Sequence, residues 1–222
     1  MKSVVSKALV SLLGFALIGC SANPRDNPSP FLLHDEDLQA AAESAGSPAR
    51  IGATARGTRS SVVFVEFVAT PQDVVERMLE MAGVTKNDVL YDLGCGDGRI
   101  LVTAARKYGC KAVGYDLDPL RLEEARRNAA RHGVSHLVTI ARKDVLKVDL
   151  REATVVTLYL GTEINARLIP QLERLRPGAR IVSHEFPLAD IPPDKTADMI
   201  SRADGLKHTV YLWTCPLPAR GR

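Results

Sequence analysis

An acid and three alternating glycines occupy the middle of the chain, in the segment Asp92-Leu93-Gly94-Cys95-Gly96-Asp97-Gly98. Glycine admits backbone angles that other side chains forbid, so this spacing lets a ligand approach the main chain closely. Asp92 can also order such a loop by accepting hydrogen bonds from backbone N–H groups. The segment therefore predicts a binding site for a small, nucleotide-like molecule.

A buried strand and a helix position this glycine loop. Val89 and Leu90 lead into Asp92 as a strand does, and Ile100-Leu101-Val102 begins a run with helical spacing that continues through Lys107. The first N–H groups of a helix have no partner within it. They are therefore available to a ligand that lies in the loop.

The spacing of the loop separates two classes of nucleotide site. The dinucleotide fingerprint G-x-G-x-x-G needs glycine where this chain has Arg99. Asp116 follows the second predicted strand, 18 residues beyond Gly98, which is close to the roughly 20 residues expected of an acid that binds ribose hydroxyls. Since Asp118 already fits the role of an acid at a helix start, we expect Asp116 to bind ribose.

The pattern Asp92-x-Gly94-x-Gly96-x-Gly98 resembles the first motif of class I S-adenosylmethionine-dependent methyltransferases. This resemblance implies that the glycine turn lies against the amino-acid part of the cofactor, and that Asp144 contacts adenine with Val145 beside it. On spacing alone, Asp144 can also be an exposed loop residue. The cofactor site implied by the resemblance consists of Asp92, Gly94, Cys95, Gly96, Gly98, Asp116, Leu117, Asp144 and Val145.

Segments outside this motif are similar to a smaller branch of the family. That branch contains the mitochondrial lysine methyltransferases that modify ATP synthase subunit c and the adenine nucleotide translocase, together with bacterial relatives. The resemblance implies methylation of a protein lysine, although Ala69 and Gly161-Thr162 depart from the relatives near the expected substrate entrance. The similar segments are Phe67-Val68-Ala69-Thr70-Pro71, Thr157-Leu158-Tyr159-Leu160, Leu175-Arg176-Pro177-Gly178 and Val182-Ser183-His184-Glu185-Phe186.

Methyl transfer from a sulfonium is an in-line displacement, so holding the reacting atoms in line provides most of the catalysis. A lysine must also lose its proton before it attacks, which requires a desolvating pocket or a proton acceptor. An open parallel sheet presents such groups at its strand ends. The candidates are Tyr159, Glu163 and Asn165, with His184 and Glu185 at the next strand end.

Each of these candidates also has a structural interpretation. Tyr159 can be a packing residue, Glu163 an acid in the first turn of a helix, and His184 a histidine with satisfied hydrogen bonds. Cys95 is expected to be a small loop residue, not a nucleophile. A small-molecule methyltransferase and a non-catalytic cofactor-binding protein of the cell envelope remain alternative functions.

Strands and helices alternate along the chain, which predicts an α/β fold with a Rossmann-like, doubly wound, mostly parallel sheet of about seven strands. A helix is expected after Thr70, Pro71 and Asp73, which have the form of a capping box. Another is expected from Glu163 to Leu175. The predicted strands after the glycine loop are Lys111–Tyr115, Leu137–Ala141, Thr154–Leu160 and Ile181–Ser183, followed by an antiparallel edge pair at Thr196–Ile200 and Thr209–Thr214.

The N-terminal 20 residues have the pattern of an export signal, with Lys2 and Lys7 before an apolar run from Ala8 to Ile18. The ending Leu17-Ile18-Gly19-Cys20 resembles the lipobox of bacterial lipoproteins, which implies a lipidated Cys20 and a membrane anchor. We expect a flexible tether at 21–60, a methyltransferase domain at 61–217 and a tail at 218–222. The expected location is the bacterial envelope, or the cytoplasm if the signal is not used; export would separate the enzyme from the compartment that makes its cofactor.

Composition limits the remaining classes of partner. The chain has 222 residues, 45% of them hydrophobic, which is enough for one domain with a sizeable core. Its formal charge of +3 comes from basic residues interspersed with acids, so no nucleic-acid partner is expected. The four cysteines are widely spaced without a C-x-x-C pair, so neither a disulfide nor a metal site is predicted.

Overall fold

The computed structural model describes residues 67–218, which form a seven-stranded sheet in the order β3-β2-β1-β4-β5-β7-β6. Four helices and one short 3-10 turn connect the strands in this part of the chain. The helices are α1 (Gln72–Met81), α2 (Arg99–Tyr108), α3 (Pro119–Arg131) and α4 (Thr162–Leu172). The strands are β1 (Val89–Leu93), β2 (Lys111–Asp116), β3 (Val138–Arg142), β4 (Val155–Leu158), β5 (Arg180–His184), β6 (Lys195–Ile200) and β7 (Lys207–Thr214).

The first five strands are parallel and covered by helices on both faces, which confirms the predicted α/β fold. All four residues of β4 are buried, as expected for a central parallel strand. Helices α1 and α2 pack on one face of the sheet, and α4 packs on the other. The strand order reverses between β1 and β4, and an open α/β sheet binds its ligand at such a reversal.

The predicted antiparallel pair is confirmed at the C-terminal edge. Strand β7 lies between β5 and β6 and is antiparallel to both. In this register His184 is opposite Val210, so the end of β5 lies close to the start of β7. The pairing brings side chains of β7 beside the carboxyl ends of the parallel strands.

The predicted capping box at the start of α1 is wrong. Pro71 is the capping residue and its side chain makes no capping hydrogen bond. Asp73 instead accepts hydrogen bonds from Ser201 Oγ (2.9 Å) and from the backbone N–H of Arg202 (2.7 Å). The hydroxyl of Thr70 lies against a histidine at the end of β5, so tertiary contacts replace the local cap.

Several predicted element ends differ from the structure by one to three residues, including the ends of β4 and α4. Strand β4 ends at Leu158, not at Leu160, because the next two residues leave the sheet and line a cavity. Helix α4 runs from Thr162 to Leu172 and so ends before Leu175. It contains Pro170 in its last turn.

The predicted signal peptide with Cys20, the tether at 21–60, the first six residues of the predicted domain and positions 219–222 lie outside the described residues. Among residues 67–218, no helix has both the length and the apolar composition needed to cross a bilayer.

Candidate active site

A cavity of about 490 Å³ opens at the carboxyl ends of β1, β2 and β4. This is the point where the strand order reverses. The volume is within the range of about 300 to 1,000 Å³ that is usual for small-molecule sites. Six of the nine residues predicted to bind a cofactor line this cavity.

The glycine loop joins β1 to α2 and is held against the end of β2. The backbone N–H groups of Gly94 and Cys95 both donate to the carbonyl of Tyr115, at 2.8 and 3.0 Å. Gly94, Gly96 and Gly98 all have positive φ angles, which confirms the need for glycine at these positions. A Cβ atom would collide with the Leu160 side chain at Gly94 and with the ring of Phe67 at Gly96.

Gly98 shows how tightly α2 packs on α3. A Cβ atom there would lie 2.8 Å from the Cβ and 3.1 Å from the Cα of Ala125, and φ is +77°. We expect Gly98→Ala to lower the free energy of unfolding by about 2 to 4 kcal/mol, since backbone strain and overpacking add. Gly109→Ala, at the other end of α2, has a similar φ of +70° with no atom within 4 Å.

Urea denaturation of the two variants separates these two contributions. Gly109→Ala carries the backbone strain alone, so it should lose only about 1 to 2 kcal/mol. Equal losses at Gly98 and Gly109 would contradict the proposed helix contact.

Asp116, at the end of β2, fixes the conformation of the loop. Its Oδ2 accepts the backbone N–H of Gly96 at 2.9 Å. Its Oδ1 accepts the N–H groups of Leu117 and Asp118 at 2.7 and 3.0 Å. The suggestion that Asp92 orders the loop in this way is therefore wrong, because Asp116 accepts these backbone bonds.

Asp92 is buried beside the cavity. Among residues 67–218, its carboxylate accepts one hydrogen bond, from the hydroxyl of Thr157 at 2.6 Å. Burial raises the pKa of Asp92 to about 7 against the effect of that hydrogen bond, and the charges of Asp116 and Asp97 raise it further. The side chain is therefore a buried acid without a cationic partner in the described chain.

Of the nine predicted cofactor residues and the acceptor candidates Tyr159, Glu163 and Asn165, seven line the cavity and five do not; the candidates His184 and Glu185 also lie outside the lining. Gly96 and Gly98 shape the loop from behind. Asp144 caps the 3-10 turn Val145–Lys147 by accepting the N–H of Leu146 at 3.0 Å. The lining residues among the predicted set are Asp92, Gly94, Cys95, Asp116, Leu117, Val145 and Tyr159, and those outside the lining are Gly96, Gly98, Asp144, Glu163 and Asn165.

Two of the predicted acceptor-side residues have other surroundings. Glu163 is exposed in the first turn of α4. Asn165 is completely buried, and its amide nitrogen donates to the carbonyl of Phe186 at 2.9 Å. Asn165 is thus placed to hold Phe186, which stacks on Tyr159 with ring centroids 5.9 Å apart.

Two basic residues that were not predicted as site residues line the cavity. Arg99 forms a fork with Asp97, with Nη2 2.6 Å from Oδ2, and its Nη1 donates to the carbonyl of Thr70 at 2.8 Å. The guanidinium of Arg121 lies 4.1 Å from the centre of the Phe67 ring. Arg99 could have been identified from the sequence, because it stands where the dinucleotide fingerprint requires glycine. No sequence feature pointed to Arg121.

The end of β5 places His184 against the cavity wall. Its ring lies 4.1 Å from that of Tyr159, measured between centroids. Both ring nitrogens have partners, which agrees with the structural interpretation of this histidine: Thr70 Oγ1 at 3.2 Å and His208 Nδ1 at 2.9 Å. Glu185 lies close to the same pair, so two histidines and a carboxylate converge here.

Cys95 is buried in the glycine loop, as expected for a small loop residue. Burial is the main cause that raises the pKa of its thiol, and the neighbouring charge of Asp92 adds to the effect. The thiol is therefore protonated at neutral pH and unsuited to act as a nucleophile. Cys110 and Cys215 are also free thiols.

The charge of the cavity fits a cationic ligand. The carboxylates of Asp92, Asp97, Asp116 and Asp118 line it, and of these Asp97 is paired with Arg99. A sulfonium with an ammonium group would compensate the buried acid at Asp92, and a ribose could reach Asp116. The donor and acceptor groups are thus those that S-adenosylmethionine needs.

Comparison with known proteins supports this chemistry. Residues 92–195 match the family model described as the ANTKMT methyltransferase domain. The chain is 46% identical over 157 residues to a protein-lysine N-methyltransferase of Saccharolobus islandicus, an alignment that covers 69% of this chain and 96% of that protein. It is 42% identical over 106 residues to the mouse adenine nucleotide translocase lysine N-methyltransferase, covering 47% of this chain and 46% of the mouse protein.

A solved structure agrees in both fold and ligand. The crystal structure of an RNA methyltransferase from Salinibacter ruber in complex with S-adenosyl-L-homocysteine matches with a TM-score of 0.65 and 46% identity, covering 70% of this chain and 98% of that one. The sequence motif, the cavity and these relatives agree. The chain belongs to the class I S-adenosylmethionine-dependent methyltransferases of the ANTKMT type.

Proposed function

We propose that this protein transfers a methyl group from S-adenosylmethionine to the side-chain nitrogen of a lysine in another protein. The observation that carries the proposal is the 46% identity over almost the whole of the S. islandicus protein-lysine N-methyltransferase. The matched mouse enzyme also acts on a protein lysine by its name, although this chain covers less than half of it. The particular target protein is not transferred from either relative.

We assign the cofactor to the cavity at the end of β1. Asp116 accepts the ribose hydroxyls, and the turn at Gly94, Gly96 and Gly98 leaves space for the amino-acid part. Asp92 lies near the cationic end, where its buried carboxylate is compensated. Val145 and Leu117 contact the adenine, and Asp144 contributes by holding the turn that carries Val145.

The acceptor nitrogen approaches from the side of Tyr159. The cofactor supplies a methyl group on a positively charged sulfur. A neutral amine can attack the methyl carbon in line with the carbon–sulfur bond, and the sulfur then leaves as a neutral thioether. The aromatic rings of Tyr159 and Phe186 provide an apolar surface for the lysine chain, and the Tyr159 ring can attract its ammonium group. Asn165 holds Phe186 in place through the hydrogen bond to its carbonyl. Glu163 is exposed at the start of α4, where it can attract a positively charged segment of the substrate protein.

Labelling with methyl-tritiated cofactor tests the proposal. The purified full chain is incubated with protein and RNA fractions prepared separately from the same cells. Radioactivity in protein, released as methylated lysine after acid hydrolysis, is the expected result. Labelling of RNA alone would favour an activity like that named for the S. ruber relative, and labelling of metabolites alone would favour a small-molecule acceptor.

The lipobox-like ending at Cys20 supports a location in the cell envelope, anchored by lipid. Fractionation of cells that express the wild type or Cys20→Ala tests this location. The wild type should sediment with membranes and the variant should not. A wild-type protein that remains soluble and unlipidated would place the enzyme in the cytoplasm, where its cofactor is made.

A further inference from the structure

A line of hydrogen-bonding groups runs from the cavity to the protein surface through two histidines. Thr70 lines the cavity, and its hydroxyl oxygen is 3.2 Å from His184 Nδ1. His184 Nε2 is 2.9 Å from His208 Nδ1, and His208 Nε2 is 3.1 Å from Asp204 Oδ2. Since Asp204 is exposed, the line connects the cavity wall with solvent.

The direction of these hydrogen bonds follows from the carboxylate at the outer end. The backbone N–H of Leu206 donates to Asp204 and holds the pKa of that carboxyl below its usual value, so Asp204 is an acceptor. His208 Nε2 must then donate, and since His208 Nδ1 is 2.9 Å from His184 Nε2, the hydrogen bond between the rings has His184 Nε2 as donor and His208 Nδ1 as acceptor. His184 Nδ1 in turn accepts from the Thr70 hydroxyl, so every donor points outward.

The two histidines have different surroundings. His184 is completely buried, which lowers its pKa to about 4, with a further contribution from the facing His208. It can pass a proton on but does not keep one at neutral pH. His208 is 8% exposed and lies between two carboxylates, with Asp204 Oδ2 3.1 Å from its Nε2 and Glu185 Oε1 3.2 Å from its Nδ1. Asp204 is therefore at the outer end of the pair, where a proton can leave.

Two other groups face His184: the Tyr159 ring, tilted by 38° against it, and Glu185, whose Oε1 is 3.4 Å from His184 Nε2. Glu185 has a φ of 62°, in the region that favours glycine. It is held there because its N–H donates to the Thr209 carbonyl at 2.8 Å, and the Thr209 N–H donates to Glu185 Oε1 at 3.1 Å. Such strained residues persist where the surroundings fix them, frequently at functional sites.

The side chains of His184, Glu185 and His208 are also close enough together to be compared with a metal site. Two nitrogens bound to one tetrahedral zinc, each at about 2.0 to 2.1 Å, are about 3.4 Å apart. The 2.9 Å between His184 Nε2 and His208 Nδ1 is instead the length of a direct hydrogen bond. The spacing therefore favours a proton shared between the rings.

We propose that Thr70, His184 and His208 form a proton-transfer chain that carries a proton from the acceptor lysine to Asp204 and the solvent. This inference rests on the proposed function, since it requires an ammonium group in the cavity. The ammonium gives a proton to Thr70 Oγ1 while the hydroxyl proton moves to His184 Nδ1. The Nε2 proton of His184 moves to His208 Nδ1, and the Nε2 proton of His208 leaves. One proton enters and one leaves, so the lysine becomes a neutral amine.

The resting state of the chain is tested without any methyl acceptor. In the full chain labelled with ¹⁵N-histidine, ring-nitrogen NMR shifts should show the proton on Nε2 and not on Nδ1 in each ring. The Nε2 proton of His184 should exchange slowly with solvent. Single His184→Gln and His208→Gln variants assign the signals. A proton on Nδ1 of either ring, or displacement of the His184 Nε2 proton by equimolar Zn²⁺, would overturn the chain.

Its role in proton removal is tested by the pH dependence of His208→Gln, with the protein acceptor found by labelling. We expect a rate about 100-fold below wild type at pH 7, in the range of general-base effects. As pH rises, the ratio of the wild-type rate to the variant rate should fall by up to about tenfold for each pH unit. The reason is that the lysine, with a pKa of about 10.4 in water, then loses its proton without help from the protein. The exposed His136→Gln is the matched control and should follow the wild type.

A purely structural role predicts a different outcome. A defect of His208→Gln that stays constant between pH 7 and 9.5, or one matched by weaker cofactor binding in calorimetry, would refute proton transfer. If the wild type labels no protein at any pH, the proposed function fails, and the NMR tautomers still decide whether the hydrogen-bonded chain exists.

Discussion

Asp116→Asn should weaken binding of S-adenosylmethionine about 100-fold, equivalent to nearly 3 kcal/mol. In the wild type, the carboxylate accepts three backbone N–H groups, from Gly96, Leu117 and Asp118, and is still accessible from the cavity. Asparagine has almost the same shape, but it loses the negative charge and turns one acceptor into a donor. Both the glycine loop and the proposed ribose contacts lose a charged acceptor in this variant.

Calorimetry with S-adenosylhomocysteine and its 2′-deoxy analogue separates these two losses. The wild type should prefer the ligand with the hydroxyl by about tenfold, the usual value of one hydrogen bond to a charged group. Asp116→Asn should bind both ligands weakly and nearly equally. Asp149→Asn, which removes an exposed acid paired with Arg151, should behave as the wild type. A variant that keeps the full preference would show that Asp116 orders the loop without binding ribose.

The cofactor side of the site could be predicted because its residues are close together in sequence. A glycine required by a turn, or an acid at a strand end, is specified by local spacing. Gly94 and Asp116 are such residues, and the structure places both at the cavity. The predicted parallel sheet and its antiparallel edge have the same origin, since the periodicity of each element is local.

The acceptor side could not be predicted in this way because its contacts join distant parts of the chain. The bond between Thr70 and His184 spans 114 residues, and Thr70 had a plausible local role as a helix cap. The bond between His184 and His208 depends on the register in which β7 pairs with β5. No spacing in the sequence determines that register, so His208 and Asp204 were not identified as partners.

Two acids that line the cavity have different surroundings. Asp116 is half-buried and accepts several N–H groups, whereas buried Asp92 accepts the hydroxyl of Thr157. Folding therefore leaves the Asp92 carboxylate destabilised while no cation is bound. Asp92 is retained at a cost in stability, which is the pattern expected of a binding group.

The stability of the ligand-free protein should reveal this cost. The pKa of Asp92 is raised from 3.8 to about 7 on folding, so its contribution to stability is fully present below pH 3.8 and is lost as pH rises to about 7. The full loss corresponds to about 4 kcal/mol. Asp92→Asn should recover about 1 to 3 kcal/mol at pH 8, because the unpaired amide N–H groups offset part of the gain. Near pH 4 the ionisation cost of the wild type is gone and only the cost of the amide remains, so the variant should there be less stable than the wild type by about 1 to 3 kcal/mol.

The affinity for S-adenosylmethionine should rise with pH, whereas the stability of the ligand-free wild type falls. The cation favours the Asp92 carboxylate, so below pH 7 the wild type must release a proton in order to bind, and its affinity should fall by up to about tenfold per pH unit. Asp92→Asn has no proton to release at this position, so its affinity should be weak at pH 8 and should not depend on the titration of residue 92.

Calorimetry between pH 5.5 and 8.5 measures the affinity and the proton release of the wild type and the variant. Buffers of different ionisation enthalpy allow the released proton to be counted. A stabilised variant that binds as tightly as the wild type would mean that Asp92 does not contact the cation, whereas a variant with higher stability and lower affinity would show that the acid is kept for binding.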